Sequence, residues 1–390
     1  MHRLFRLAPL SLLTTTLLGC SSDALDNPDE PAQGDGSPKV EIATLTEVYR
    51  PSAQVPLSAT ALAFNPTVEG ELWVALRQLP SGKPCNQPPD PPPATEDPAC
   101  AALPGAMAVV SDATGNAPQA VIKEDGNAWH FMRRPAAMAW GDGQYFASCG
   151  EALTDNYEDV DIPYAGPVLW SSDPAIFGVK PKANQNGTHL DMLHETPYCM
   201  GIAHEAGNAY WAFNGDAGAL DRVDFHTPHQ IGGEDHSDGE VFRYVNGQLL
   251  RVPEVPSHLA YDAQRKLVYV ADTGHGRVVR VDPSTATKGE DITVYEVLAD
   301  SGFMDGATLS ELIPPGTLQL PSGLALDGDT LYVTDNATGL IHVVDVSGKS
   351  RRILNTGLPE GALGGIARGP DQQLYVTNLK DGSVSRVEAP

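Results

Sequence analysis

Six stretches of the chain repeat one another, and repetition at this scale leaves few folds open. They read ATALAFNPTVEGELWVAL (59–76), PAAMAWGDGQYFAS (135–148), CMGIAHEAGNAYWAFN (199–214), PSHLAYDAQRKLVYVAD (256–272), PSGLALDGDTLYVTD (321–335) and LGGIARGPDQQLYVTN (363–378). In each, a small residue or His precedes an apolar–Ala pair, then a turn, then an alternating aromatic and β-branched run. That is two short strands joined at Gly, Asn or Asp. The later copies continue into a third strand at 218–225, 276–282, 339–346 and 382–389. One such unit cannot bury both of its faces, so the copies must stack, and strand-only repeats stack as the blades of a propeller. Between the markers Ala137, Gly201, His258, Gly323 and Gly365 the spacing runs 64, 57, 65 and 42 residues. The last interval is close to a bare blade of ~40–45 residues, and the longer ones carry loop insertions. The sequence therefore predicts an all-β chain with one six-bladed β-propeller over 40–390. Blade six has no outer strand after Ala389, whereas Val40–Leu45 alternates like a half-buried strand. Residues near 45–50 are expected to pair with the last blade and so remove its open edge.

The motifs at 256–282, 321–346 and 363–388 resemble the NHL-repeat branch of six-bladed propellers, with blade starts such as PSGLALD and strand ends such as LYVTD. The resemblance covers most of 45–390 and implies architecture, not activity. Two enzymatic relatives of that branch give sharper tests. Amidating lyases of this type bind zinc through a His placed directly after the blade-start Pro. Here Ser257 and Ser322 follow the Pro, with Ala136 and Met200 at the matching places, and His258 falls one residue late, which turns it to the other face. Sugar-lactone hydrolases of the regucalcin type hold Ca²⁺ with an Asn at a blade start, where this chain has Ser322-Gly323-Leu324-Ala325.

The N-terminus carries an address. Arg3 and Arg6 precede an apolar run from Leu7 to Leu18, too short to cross ~30 Å of hydrocarbon as a helix and laid out like a signal peptide. It ends in Leu17-Leu18-Gly19-Cys20, which resembles the bacterial lipobox. That resemblance implies a leader over 1–19, cleavage before Cys20, acylation there, and a membrane partner reached through the lipid. Ser21, where an inner-membrane retention signal would place Asp, implies a cell-envelope protein of the outer membrane. Residues 20–39 are polar, acidic and rich in Pro and Gly, the composition of a disordered tether with a reach of ~25 Å. Cys85, Cys100, Cys149 and Cys199 then remain, an even number for an oxidising compartment. Cys85–Cys100 would close a Pro-rich excursion, and Cys149–Cys199 would tie the second blade to the third.

A net charge of −25, from 25 Lys and Arg against 50 Asp and Glu, excludes nucleic acid as a partner. No G-x-S-x-G elbow, H-E-x-x-H helix or phosphate loop occurs. Two places could carry chemistry. One is the propeller mouth, to which His258, His275, Asn214, Asp272, Asp335 and Asn378 map as ligand-pocket candidates. Asp and Asn at such turns also serve the backbone itself. The other is DFHTPHQIGGEDHSDGE (224–240), with His194 and His204 upstream, where His226, His229 and His236 are expected as metal ligands with Asp235 as ligand or partner. Imidazoles suit Zn²⁺ or Cu²⁺, and carboxylates alone suit Ca²⁺. Two functions follow: an envelope scaffold that binds a small ligand, a peptide or a partner protein, or a metal-dependent hydrolase or lyase.

Overall fold

Each repeat forms a hairpin, and six such hairpins grow into six mainly antiparallel sheets arranged as the blades of a β-propeller. The computed structural model describes residues 38–52, 57–78, 105–155, 162–179 and 186–388. Cys20, Cys85, Cys100, the leader and most of the tether lie outside these residues. Blade I runs Leu57–Phe64, Leu72–Gln78, Gly105–Ser111 and Gln119–Lys123. Blade II is Pro135–Trp140, Tyr145–Gly150, Val168–Ser171 and His189–Met192. Blade III starts with Ile202–Ala206, Ala209–Asn214, Ala219–Asp224 and Glu240–Tyr244. Blade IV is Leu259–Asp262, Leu267–Asp272, Arg277–Asp282 and Thr308–Ile313, and blade V is Pro321–Asp327, Thr330–Asp335, Leu340–Asp345 and Ser350–Asn355. Blade VI takes Leu363–Arg368, Leu374–Asn378 and Val384–Glu388 from the C-terminal end and Thr44–Tyr49 from the N-terminal side.

That last pairing is the expected closure: Thr44 opposes Glu388 and Tyr49 opposes Val384 in antiparallel register. Two additions were not visible in the repeats. Val40–Ile42 lies parallel to Ser350–Asn355 as a fifth strand of blade V. Asp300–Asp305, from the excursion between the third and fourth strands of blade IV, reaches back to lie parallel to Glu240–Tyr244 and widen blade III.

The small residue that opens the inner strands has a steric cause. A Cβ on Gly201 would fall 2.0 Å from Ser257 O, and one on Gly323 2.5 Å from Gly364 O. Neighbouring inner strands therefore meet backbone to backbone near the axis. Buried threonines knit them there: Thr60 donates to Pro135 O (2.9 Å) and Thr334 to Gly364 O (2.6 Å). Between blades the contact is apolar, with Trp73, Phe146, Trp170 and Phe177 packed edge to face across blades I and II. Blades II and III are also joined covalently by the Cys149–Cys199 disulfide, with Cα atoms 5.6 Å apart.

Candidate functional site

The mouth residues are largely occupied by the propeller's own backbone. Asp272, fully buried, accepts from Leu250 N (2.9 Å), His275 Nδ1 (2.9 Å) and Arg277 Nε (2.7 Å). Asp335 accepts from Gln319 N and Leu320 N, both at 3.0 Å. Asn214 accepts from Ala217 N (2.9 Å) and donates to Asp221 (2.8 Å), and Asn378 accepts from Lys380 N (2.9 Å). These are turn-holding roles. His258 starts blade IV but donates through Nε2 to Ala136 O of blade II (3.1 Å), and its Cε1 lies 3.0 Å from where Gly365 of blade VI would carry a Cβ. The ring thus crosses the axis. Burial drives its pKa down to about 4, with only partial compensation from Ala136 O. The link into blade IV brings Glu254 onto Arg77 (3.1 Å) and Arg134, while buried Glu151 takes Arg77 (3.1 Å) and Arg251 (2.8 Å). The ion network spans blades I and II with a segment that belongs between blades III and IV.

The chemistry gathers instead at the rim of blades II and III. His189 opens the outer strand of blade II, and His194 follows that strand. His229 and His236 come from the long connection between the third and fourth strands of blade III. That connection is zipped to blade II, because His229 N donates to Leu190 O and Gly232 N to His189 O (both 2.9 Å). Gly233 permits the fold-back: a Cβ there would sit 2.8 Å from the His229 ring. The blade IV excursion delivers Glu296, and the short helix Ala128–Phe131 delivers His130. His130, His189, His194, His236 and Glu296 line a cavity of about 540 Å³ that also has Tyr164, Asn186, Glu234 and Val297 in its wall.

The imidazoles share one arrangement. His189 Nδ1 faces Asn186 O (2.8 Å), His229 Nδ1 faces Gln230 O (2.6 Å), and His236 Nδ1 faces Glu296 Oε2 (3.3 Å). A carbonyl or carboxylate oxygen can only accept, so each Nδ1 carries a proton, and in the neutral ring Nε2 is left with its lone pair. His229 Nε2 and His236 Nε2 are buried with no partner among the described residues. One ligand atom from each of His189, His229 and His236 lies within 4.8 Å of the others. A tetrahedral ion with bonds of ~2.1 Å holds its nitrogens ~3.4 Å apart, so modest closure of the rings suffices. Ring packing already orients them: His189 stacks on Phe131 at 3.7 Å, and His229 lies 5.4 Å from His236.

Electrostatics favour neutral rings for two of the three. Burial pushes His189 down to about 3 and also lowers His229. Burial opposes the proton on His236 too, but the hydrogen bond to Glu296 and the nearby carboxylates outweigh it and hold its pKa above the ordinary value. Burial would raise Glu296, yet the hydrogen bonds from His194 and His236 hold it at about 2.

Of the expected ligands, the fold brings together His229 and His236. It sends His226 elsewhere, into a group with Asp224 and Glu240 (Nε2 to Oε2 3.4 Å), because the residue adopts positive φ and its N–H bonds Asp224. Asp235 is exposed at the cavity rim and spends its Oδ1 on Ser237. His204 packs against Tyr210 and bonds Gly207 O. His189, His130 and Glu296 were not singled out from the sequence. His189 and Asp191 do alternate along one strand, which is the only local sign of a shared face.

No protein-family profile matches the sequence, and no curated protein does. Solved structures match the fold. An auxiliary nutrient binding protein from Bacteroides ovatus is similar with a TM-score of 0.52 at 10% identity, over 90% of this chain and 77% of that one. A calcium-binding regucalcin from Agrobacterium tumefaciens gives 0.52 at 13% identity, over 90% and 97%. A Bacteroides thetaiotaomicron protein of unknown function gives 0.51 at 10% identity, over 90% and 75%. At these identities the likeness is one of fold.

Proposed function

We propose that the protein is a cell-envelope binding propeller whose ligand site is a transition-metal centre on His189, His229 and His236. One observation carries the reading: one buried and two half-buried imidazoles converge, each with its Nδ1 committed to an oxygen. Oxygen partners on the far nitrogen are what fix ring orientation in histidine metal sites. Two buried nitrogens without a partner among the described residues need an account, since buried polar atoms are nearly always paired. An all-nitrogen set suits Zn²⁺ or Cu²⁺ and not Ca²⁺, which takes oxygen ligands. The calcium-binding neighbour therefore offers no guide to this rim site. The lipobox-like Leu17–Cys20 supports export and acylation at Cys20, with the propeller held off the outer membrane by the tether over 20–39. In that setting small ligands, peptides or envelope proteins remain partners for the scaffold's other surfaces.

The test is calorimetric titration of Zn²⁺ and Cu²⁺ into demetallated protein. His229→Ala/His236→Ala should weaken binding at least ~100-fold, while His226→Ala should leave it unchanged. Equal affinity in wild type and the double variant, or no binding by wild type, would end the reading.

A further inference from the structure

A further histidine lines the cavity beside the proposed metal ligands. His194 Nδ1 bonds Glu296 Oε2 at 3.0 Å, the same oxygen that takes His236 Nδ1 at 3.3 Å. The two rings hang from it nearly parallel, 16° apart in plane, with centroids separated by 5.7 Å. His194 N also donates to Glu296 Oε1 (2.6 Å), and Tyr164 stacks on the ring at 3.9 Å. The side chain is 5% exposed, and its Nε2 is buried without a partner among the described residues.

We infer that His194 is the general base of a metal-assisted hydrolysis of small uncharged acyl esters, an inference that rests on the metal centre proposed above. Three protein ligands leave a tetrahedral ion one open position, and water bound there ionises near pH ~7. Glu296 fixes Nε2 as the acceptor of His194, as a carboxylate does for a catalytic histidine. His194 Nε2 takes a proton from the metal-bound water, and the resulting hydroxide forms a bond to the ester carbonyl carbon. The C–O bond to the alcohol then breaks, and the alcohol leaves with the proton from His194. Ester and water become carboxylic acid and alcohol, with no other reactant.

The substrate class follows from the walls. Glu234, Asp235 and Glu296 on the cavity, in a chain of net charge −25, repel phosphate and carboxylate substrates. Phe131, Tyr164 and Val297 offer apolar contact for an acyl chain.

The experiment loads the full chain with Zn²⁺ and follows p-nitrophenyl acetate, beside Zn²⁺ calorimetry and thermal unfolding on the same samples. Loading should raise kcat/KM above that of the demetallated protein. His194→Gln and His194→Ala should lower kcat by about 10²–10⁴-fold while binding Zn²⁺ as wild type does and still unfolding cooperatively. Zn²⁺-loaded wild type no faster than demetallated protein would overturn the hydrolytic inference and leave the metal centre standing. So would a His194→Gln protein as fast as wild type, or one that loses Zn²⁺ affinity, which would make His194 a ligand. Failure of wild type to bind Zn²⁺ overturns both readings.

Discussion

The ring of His258 offers a clean measurement, because its burial makes stability depend on pH in a direction that can be worked out. Its Nε2 faces the Ala136 carbonyl, so the folded ring is neutral with the proton on Nε2. Burial holds its pKa at about 4, below the ordinary 6.5 of the unfolded chain. The unfolded chain therefore takes up a proton as pH falls through 6.5, and the folded chain does so only near 4. Stability from this group is fully present above pH 6.5, is lost between 6.5 and about 4, and changes no further below. A lowering of that size is worth roughly 3 kcal/mol. His258→Leu removes the titrating group and leaves Ala136 O without its donor, which costs about 1–3 kcal/mol at neutral pH. The expected result is that wild type is more stable at pH 7, and that the variant gains roughly 3 kcal/mol relative to it by pH 4. Urea unfolding of both proteins at several pH values between 7 and 4 reads the difference. Other buried groups titrate in both proteins alike, among them His130 at about 3 and Asp155 at about 7, so they cancel in the comparison. Parallel stability curves for the two proteins would refute the reasoning.

Replacing both cysteines of the Cys149–Cys199 bond, which spans 50 residues, should cost about 4 kcal/mol in the chain-entropy description, read by chemical denaturation; an unchanged midpoint would show that the blade interface suffices. Deleting residues 40–49 removes the outer strand of blade VI with buried Val48 and Tyr49, side chains worth about 1.5–3 kcal/mol each, and unchanged thermal unfolding would count against closure at this seam. Cys20→Ala should give a folded but unacylated and mislocalised protein; palmitate label on it at the wild-type level would sink the lipidation reading.

The propeller was legible because its cause is local and repeated. Gly201, Gly323 and Gly365 recur where inner strands meet backbone to backbone, and Asp272, Asp335 and Asn378 recur where their side chains tie the turn. Each mark is imposed in several blades by the same geometry. The closing strand was legible for a related reason: blade VI lacked a fourth strand, and Thr44–Tyr49 supplied the missing pattern. Val40–Ile42 and Asp300–Asp305 were not, because both pair in parallel with strands distant in sequence. A short alternating segment says that it is a strand and not which edge it will find.

The rim site was half legible for a different physical reason. Density of His and carboxylate in 224–240 marked the segment as a candidate, but which residues make up the proposed ligand set depends on which rings the backbone turns toward blade II. Asp224 captures His226 N and starts a turn that aims its ring at Glu240. The run Asp235-His236-Ser237 carries its own answer, since Asp bonding a Ser two residues on is a local turn device that removes Asp235 from ligation. His189 and Glu296 arrive from a neighbouring blade and from another blade's excursion, so no spacing rule within the loop could have named them. What selects the set is the pairing of each Nδ1 with a fixed oxygen. His189 depends on Asn186 O and His229 on Gln230 O, both from the backbone beside them, so their lone pairs are set by local geometry. His236 depends on Glu296, which also holds His194. Glu296 is thus a contact through which the excursion from blade IV can influence both the proposed metal ligand and the proposed base.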